Sequence, residues 1–256
     1  MCNKNYLTKQ EQNIWKYIKE KEILDNELIK QIFPEMQAKT RNKILHNLYK
    51  KGFLNRARKD LYYNLEKLKN FYKLAMEIKM GYIGLNSALK YYNLIEYEDF
   101  TIFIMTKDFQ KKILLGRTQY NIQFIPLKKR FIGYEKKDDF NISSIEKTMF
   151  DCLLKPKYVG FQNITKAIYE ANIDWNKFIS FFKLTNNSSL CQRTGYILDL
   201  MEKITKKKIP SSVYDYLQKQ VKNPVKLMAI KGKSTFNKKW KIQDNLGKKN
   251  ILSWWY

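Results

Sequence analysis

The stretch from Met36 to Asn64 constrains the fold more than any other part of the chain. Ile44, Leu45 and Leu48 recur at helical spacing, while Lys39, Thr40, Lys43 and Asn47 fall away from that apolar stripe. Gly52 follows, the residue type that ends a helix where a left-handed backbone is needed. Two short runs with strand character come next, Phe53 to Ala57 and Leu61 to Asn64, separated by the turn Arg58-Lys59-Asp60. Helix, glycine, strand, basic turn, strand is the pattern of a winged helix-turn-helix with one cationic face.

The residues before it supply two more helices. Thr8-Lys9-Gln10-Glu11 has the spacing of a capping box, ahead of a buried face expected from Ile14, Tyr17 and Ile18. Asp25 can cap a second helix carrying Leu28, Ile29 and Ile32, which Pro34 then ends. Residues 1–65 are therefore expected to form the winged helix-turn-helix, with Lys39, Thr40, Arg41, Lys43, Asn47, Arg56, Arg58 and Lys59 meeting duplex DNA. A helical domain with solvated lysines, or a protein-docking winged helix, would share this pattern.

At 256 residues there is room for two domains, and the formal charge of +25 points to a polyanionic partner. Richness in Lys, Asn, Ile and Tyr also follows from AT-rich coding, so distribution matters more than the total. Lysines crowd the last stretch (Lys203, Lys206, Lys207, Lys208, Lys219, Lys222, Lys226, Lys231, Lys233, Lys238, Lys239, Lys241, Lys248, Lys249), opposed by Asp215 and Asp244. They form either a solvated face or a second phosphate-binding surface. Cys2, Cys152 and Cys191 lie far apart and His46 is the one histidine, which offers neither a disulfide framework nor a zinc site. The polar start gives no signal peptide, and no apolar run approaches the roughly 20 residues of a membrane span. A reducing cytoplasm is the expected location, with no membrane partner.

Beyond the hairpin, Leu65, Leu68, Phe71, Tyr72, Ala75 and Ile78 keep a helical period, so residues 66–80 read as a connecting helix. A larger domain, 81–256, follows. It is expected to hold a short helix at Ser87 to Leu94 and strands at Thr101 to Met105, Lys111 to Gly116 and Asn121 to Leu127, with Pro126 marking an edge. Ser143-Ser144-Ile145-Glu146 has the spacing of a capping box for a helix ending at Leu154, and further helices span Asn163 to Ala171, Trp175 to Leu184 and Cys191 to Ile204. The class is α+β: an N-terminal winged helix-turn-helix, then a mixed domain with a small sheet flanked by helices.

Several segments resemble the AbiEi family of antitoxins. They are Gly81-Tyr82-Ile83-Gly84-Leu85-Asn86-Ser87-Ala88-Leu89, Ile102-Phe103-Ile104, Phe131-Ile132-Gly133 and, most strongly, Ser144 through Leu153 with Lys155-Pro156 and Gly160. Arg193-Thr194-Gly195-Tyr196 and the closing Trp240 to Asn245 continue the order. Tyr92 departs from a frequent histidine, and Phe161 from the second glycine of a pair. The resemblance implies a winged helix that represses its own operon and a C-terminal domain that counters a co-encoded nucleotidyltransferase-like toxin of an abortive-infection module.

The residues themselves favour binding over catalysis. Lys147 and Asp151, four apart, read as a helical ion pair worth about a few tenths of a kcal/mol. Met149, Phe150, Leu153 and Leu154 read as core, and Arg193 as a holder of a backbone carbonyl. Glu135-Lys136-Lys137 is similar to the Glu-x-Lys of metal-dependent nucleases, with Asp99, Asp138 or Asp139 as possible mates. No phosphate-binding glycine loop and no nucleophile arrangement beside His46 accompanies it. The expectation is a non-enzyme with no cofactor, no metal and no catalytic residue. Alternatives are a nuclease, or an RNA- or tRNA-binding protein using the basic stretch with Trp254, Trp255 and Tyr256, which could equally plug the core.

Overall fold

The structure is a computed structural model, and it describes residues 6–98, 100–116, 118–230 and 233–256. Cys2, Asp99 and Lys231, each considered above, lie outside the described residues. The chain is α+β. It divides into two compact units: Met1–Tyr82 with Asp99–Lys128 and Asp138–Phe140, and Ile83–Glu98 with Lys129–Lys137 and Asn141–Tyr256.

The first unit opens with α1 (Lys9–Ile18), β1 (Ile23–Asp25), α2 (Asn26–Ile32) and α3 (Ala38–Lys50). The capping box at α1 forms as its spacing predicts: the Glu11 amide donates to the Thr8 hydroxyl at 3.3 Å, and the Thr8 amide to the Glu11 carboxylate at 2.8 Å. The Asp25 carboxylate caps α2 by accepting from the Leu28 amide at 2.8 Å. Tyr17 is not part of the buried face; it is 60% exposed and rests edge-on against Phe33. The buried line of α1 is Glu11, Ile14 and Ile18, spaced three and four apart, so Tyr17 falls beside it.

The strands β2 (Asn55–Arg58) and β3 (Leu61–Tyr63) follow, and β1 joins them in an antiparallel sheet of order β1-β3-β2. The third strand is too short to carry a sequence period. Gly52, between α3 and β2, has φ +80 with nothing near the place of a Cβ, so its need for glycine is one of backbone conformation. Ile14, Ile18, Leu24, Ile29, Ile44, Leu45, Leu48, Leu54 and Tyr62 make one core. Cutting a Leu or Ile there to alanine costs about 2–5 kcal/mol.

The connecting segment is helical only in α4 (Phe71–Ile78), because the Asn70 side chain accepts from the Tyr72 and Lys73 amides and starts the helix after Leu65 and Leu68. The chain then passes through β4 (Tyr82–Ile83) and α5 (Leu85–Tyr91) to β5 (Thr101–Thr106), β6 (Lys111–Leu114) and β7 (Asn121–Pro126). In the first unit β7 pairs parallel with β5 and antiparallel with β6. β7 is thus flanked on both sides up to Phe124, while its end at Pro126 pairs with β5 alone, the edge position expected from the proline. The proline is tolerated because the β6 ladder stops at Phe124, leaving no demand for a donor on that side.

The second unit contains β8 (Tyr134–Lys137), β9 (Phe140–Ser143) from Asn141 onward, α6 (Ile145–Leu154), α7 (Phe161–Glu170), α8 (Trp175–Thr185), α9 (Ser188–Thr205) and α10 (Ser211–Lys219). It ends in β10 (Val225–Lys226), β11 (Thr235–Asn237), β12 (Ile242–Asp244) and α11 (Lys248–Ile251). Ile83 and Ile142 pair β4 with β9 in parallel. The cap of α6 falls one residue later than the Ser143–Glu146 spacing expects: the Ser144 hydroxyl accepts from the Lys147 amide at 3.3 Å, and α6 lies at the centre and touches α5, α7, α8 and α9. The last strands form a sheet of order β10-β12-β11. Among the described residues no helix is long and apolar enough to cross a membrane.

Candidate nucleic-acid interface

With Ile44, Leu45 and Leu48 buried, α3 turns Lys39, Asn42, Lys43 and Lys50 to solvent. The helix contains no carboxylate, so this face is cationic along its length. Three of the expected contact residues behave differently. Thr40 is half-buried, and the Arg41 guanidinium bonds back to the Met36 carbonyl just before the helix. The Asn47 amide donates to Glu11 Oε1 at 3.0 Å, so it faces α1 rather than the open side. Lys51 Nζ sits 2.5 Å from Glu11 Oε2. Burial alone would raise the Glu11 carboxyl. Hydrogen bonds from Lys51, the Thr8 amide and Asn47, with the Lys51 charge, outweigh it and hold the group at about 2, against an ordinary 4.5.

The β2–β3 hairpin carries the rest. Arg56 pairs with Tyr62 and Arg58 with Leu61, so Ala57 is an extra residue in a bulge and points inward. Arg56 and Arg58 both face out, and the Arg56 guanidinium lies 5.8 Å from the centre of the Tyr62 ring. The turn narrows to Lys59 and Asp60, the latter at φ 60. Lys59 is exposed. Arg58 is anchored: it donates to the Lys59 carbonyl at 3.1 Å and to the Glu77 carbonyl, in the last turn of α4, at 3.2 Å. A groove of about 1080 Å³ beside the helix–hairpin junction brings Tyr49, Lys50 and Arg56 to its wall.

Asn42, Tyr49 and Lys50 are exposed on α3 and His46 is half-buried there, and none of the four is among the expected contact residues. The signal was present, because Lys39, Lys43, His46 and Lys50 repeat at intervals of four, three and four, which is one helix face. Thr40 and Asn47 lie at the margin of that face, where Thr40 is half-buried and Asn47 meets Glu11.

In the second unit the Lys147–Asp151 pair is fully buried, both side chains at 0% exposure. A surface value of a few tenths of a kcal/mol therefore does not apply to it. Burial pushes the Lys147 ammonium below its usual range while Asp151 opposes that shift, and the Phe150 and Phe181 rings lie 5.3 and 6.0 Å from Nζ. Met149, Phe150 and Leu153 are core, as expected, whereas Leu154, at the end of α6, is only half-buried. Arg193 donates to the Lys226 carbonyl at 2.9 Å, the backbone role anticipated for it.

The closing Trp240-to-Asn245 segment is also structural. Trp240 is buried against Gly195, where a Cβ would come within 2.1 Å of its ring, and Asn245 bonds the backbone of Met228 and Ile230. Asp244 accepts from the Tyr196 hydroxyl at 2.8 Å.

Glu135, Lys136 and Lys137 are exposed, with Glu135 and Lys137 paired to each other at 3.3 Å, and Asp139 pairs with Lys73. Among the described residues no group of three or more His, Cys, Asp and Glu side chains is placed to hold a metal ion. Cys152 and Cys191 are buried, and burial raises both thiols above their usual range.

No family model matches the chain, and no curated protein matches it. The crystal structure of RV2827C protein from Mycobacterium tuberculosis is similar in fold, at a TM-score of 0.66 and 11% identity, over 93% of this chain and 92% of that one.

Proposed function

We propose that residues 1–65 are a winged helix-turn-helix that binds duplex DNA at the operator of the protein's own operon. In this reading the protein is an autorepressor and antitoxin, and the remainder counters a co-encoded nucleotidyltransferase-like toxin. The observation that carries the DNA half is the carboxylate-free face of α3, with Lys39, Lys43 and Lys50, beside a hairpin that offers Arg56 and Lys59. Such a helix enters a major groove while the hairpin meets the flanking phosphates. Lys43 and Lys39 are assigned to base edges, Lys43 to guanine; Arg56 and Lys59 are assigned to phosphates. Arg58 holds the hairpin against α4, and Arg41 and Asn47 hold α3, so all three position the surface rather than read it. The toxin half rests on the resemblance between Gly81 and Asn245.

The reading assigns no catalysis, cofactor or metal to the chain and sets it in the cytoplasm. A mobility-shift assay on the DNA upstream of the gene tests it. Binding is expected to weaken steeply with salt, and Lys43→Ala to cost about 1–3 kcal/mol with relaxed sequence preference at one position. Unchanged binding in both Lys43→Ala and Arg56→Ala would refute the assigned surface. Growth rescue from the neighbouring toxin by the full chain carrying both substitutions, with repression lost, is the outcome expected of separable roles.

A further inference from the structure

We propose that the aromatic platform of Tyr169, Trp254 and Trp255 in the second unit binds unpaired nucleotides of a single-stranded nucleic acid, by base stacking between lysine flanks. It is distinct from the duplex-binding face and does not depend on it.

The platform is fixed from below. The Trp254 indole N–H donates to Thr165 Oγ1 at 2.8 Å, and that hydroxyl lies 2.9 Å from the Ile251 carbonyl it can donate to. The Tyr169 ring stands 5.2 Å from Trp254 and 5.3 Å from Trp255, and the two indoles are 5.5 Å apart. The Trp255 amide bonds the Leu252 carbonyl at 2.9 Å, which sets the turn that presents it. Trp255 nevertheless keeps 40% of its surface in solvent and Tyr256 keeps 68%. A large ring held in place yet left open has already lost the freedom that stacking would otherwise cost.

The chemistry of the rim selects the partner. Lys207 Nζ lies 5.6 Å from the centre of the Tyr169 ring and bonds the Ala171 carbonyl at 2.9 Å, and its chain neighbours Lys206 and Lys208 are exposed. Lys248 and Lys249 are exposed on α11, which packs on α7 beneath the rings. Glu170 is the carboxylate that acts on Lys207. Aromatic faces set among cations suit bases on a phosphate chain. In a duplex those bases are stacked on each other and closed to such a platform, so the ligand is a single strand.

Fluorescence anisotropy of labelled short uridine and thymidine oligomers, with a hairpin duplex of equal charge alongside, tests this on the full chain. Trp255→Ala is expected to weaken single-strand binding by roughly tenfold or more, Trp255→Phe to restore most of it, and neither to change duplex binding. The ribose and deoxyribose arms show whether a 2′-hydroxyl adds to the stacking. Arg56→Ala is expected to lower duplex affinity and leave the single strand bound, so failure of one surface is read apart from failure of the other. The proposal is overturned if the wild-type chain binds neither oligomer, if Trp255→Ala binds them unchanged, or if it weakens duplex and single strand alike.

Discussion

In the first unit Lys51 reaches Glu11 across 40 residues of chain and keeps 26% of its side chain in solvent. In the second, Lys147 meets Asp151 one helical turn away and neither side chain is exposed. The groups are the same and the settings differ. Glu11 is satisfied by three donors of which only one is charged, and its lysine can swing back into water. Asp151 and Lys147 are sealed among rings, where an unpaired charge has nowhere to go. Sequence spacing ranks the second pair as an ordinary helical contact, whereas burial makes it the more consequential one.

The contrast is easiest to break at Asp151. Asp151→Ala removes the buried counter-charge of the Lys147 ammonium and is expected to destabilise the second unit by about 3–5 kcal/mol in urea denaturation. Lys147→Met combined with Asp151→Leu removes both charges, and recovery of wild-type stability or better is expected. A cost for Asp151→Ala below about 1 kcal/mol, the range of exposed pairs, would show that water reaches the pair. Glu11→Ala is expected to cost less, about 1–3 kcal/mol, since Asn47 loses its acceptor while Lys51 re-solvates.

Acidity sharpens the same comparison. Glu11 is held at about 2 against an ordinary 4.5, so its share of stability is complete above that ordinary value and is lost as pH falls through 4.5 toward 2. Glu11→Gln should flatten the unfolding midpoint of the first unit across that window, and an unchanged slope would show that its carboxyl is not held down. Salt gives the smallest effect. Raising ionic strength from about 0.1 to 1 M shortens screening from about 10 to 3 Å. The Glu11→Ala penalty is expected to shrink by about a few tenths of a kcal/mol, while the Asp151→Ala penalty stays constant.

Local rules made much of the first unit readable. Thr8 with Glu11, Asp25 before α2, and the Ile44, Leu45 and Leu48 stripe each act within four residues, and each is realised in the structure. The same holds, within one residue, for the serine cap before α6 and for strands near Thr101, Lys111 and Asn121. What escaped depends on distant partners. Asn47 turns to a carboxylate 36 positions earlier, Arg58 to a carbonyl 19 positions later, and Gly195 to a tryptophan in another element. Burial of Lys147 and Asp151 follows from four helices closing around α6, which no spacing within α6 records. At the candidate interface the cationic character was legible, and which cations are free to act was not.

The close contact of Gly195 and Trp240 has a bearing on how the chain is made. Gln192 and Tyr196, on the same helix, bond residues 48 positions further on. At translation speeds of about 5–20 residues per second, α9 waits several seconds after synthesis for the strands that cover it. During that interval the Gly195 side of α9 is open, and the nascent protein exposes it to chaperones and proteases until Trp240 arrives.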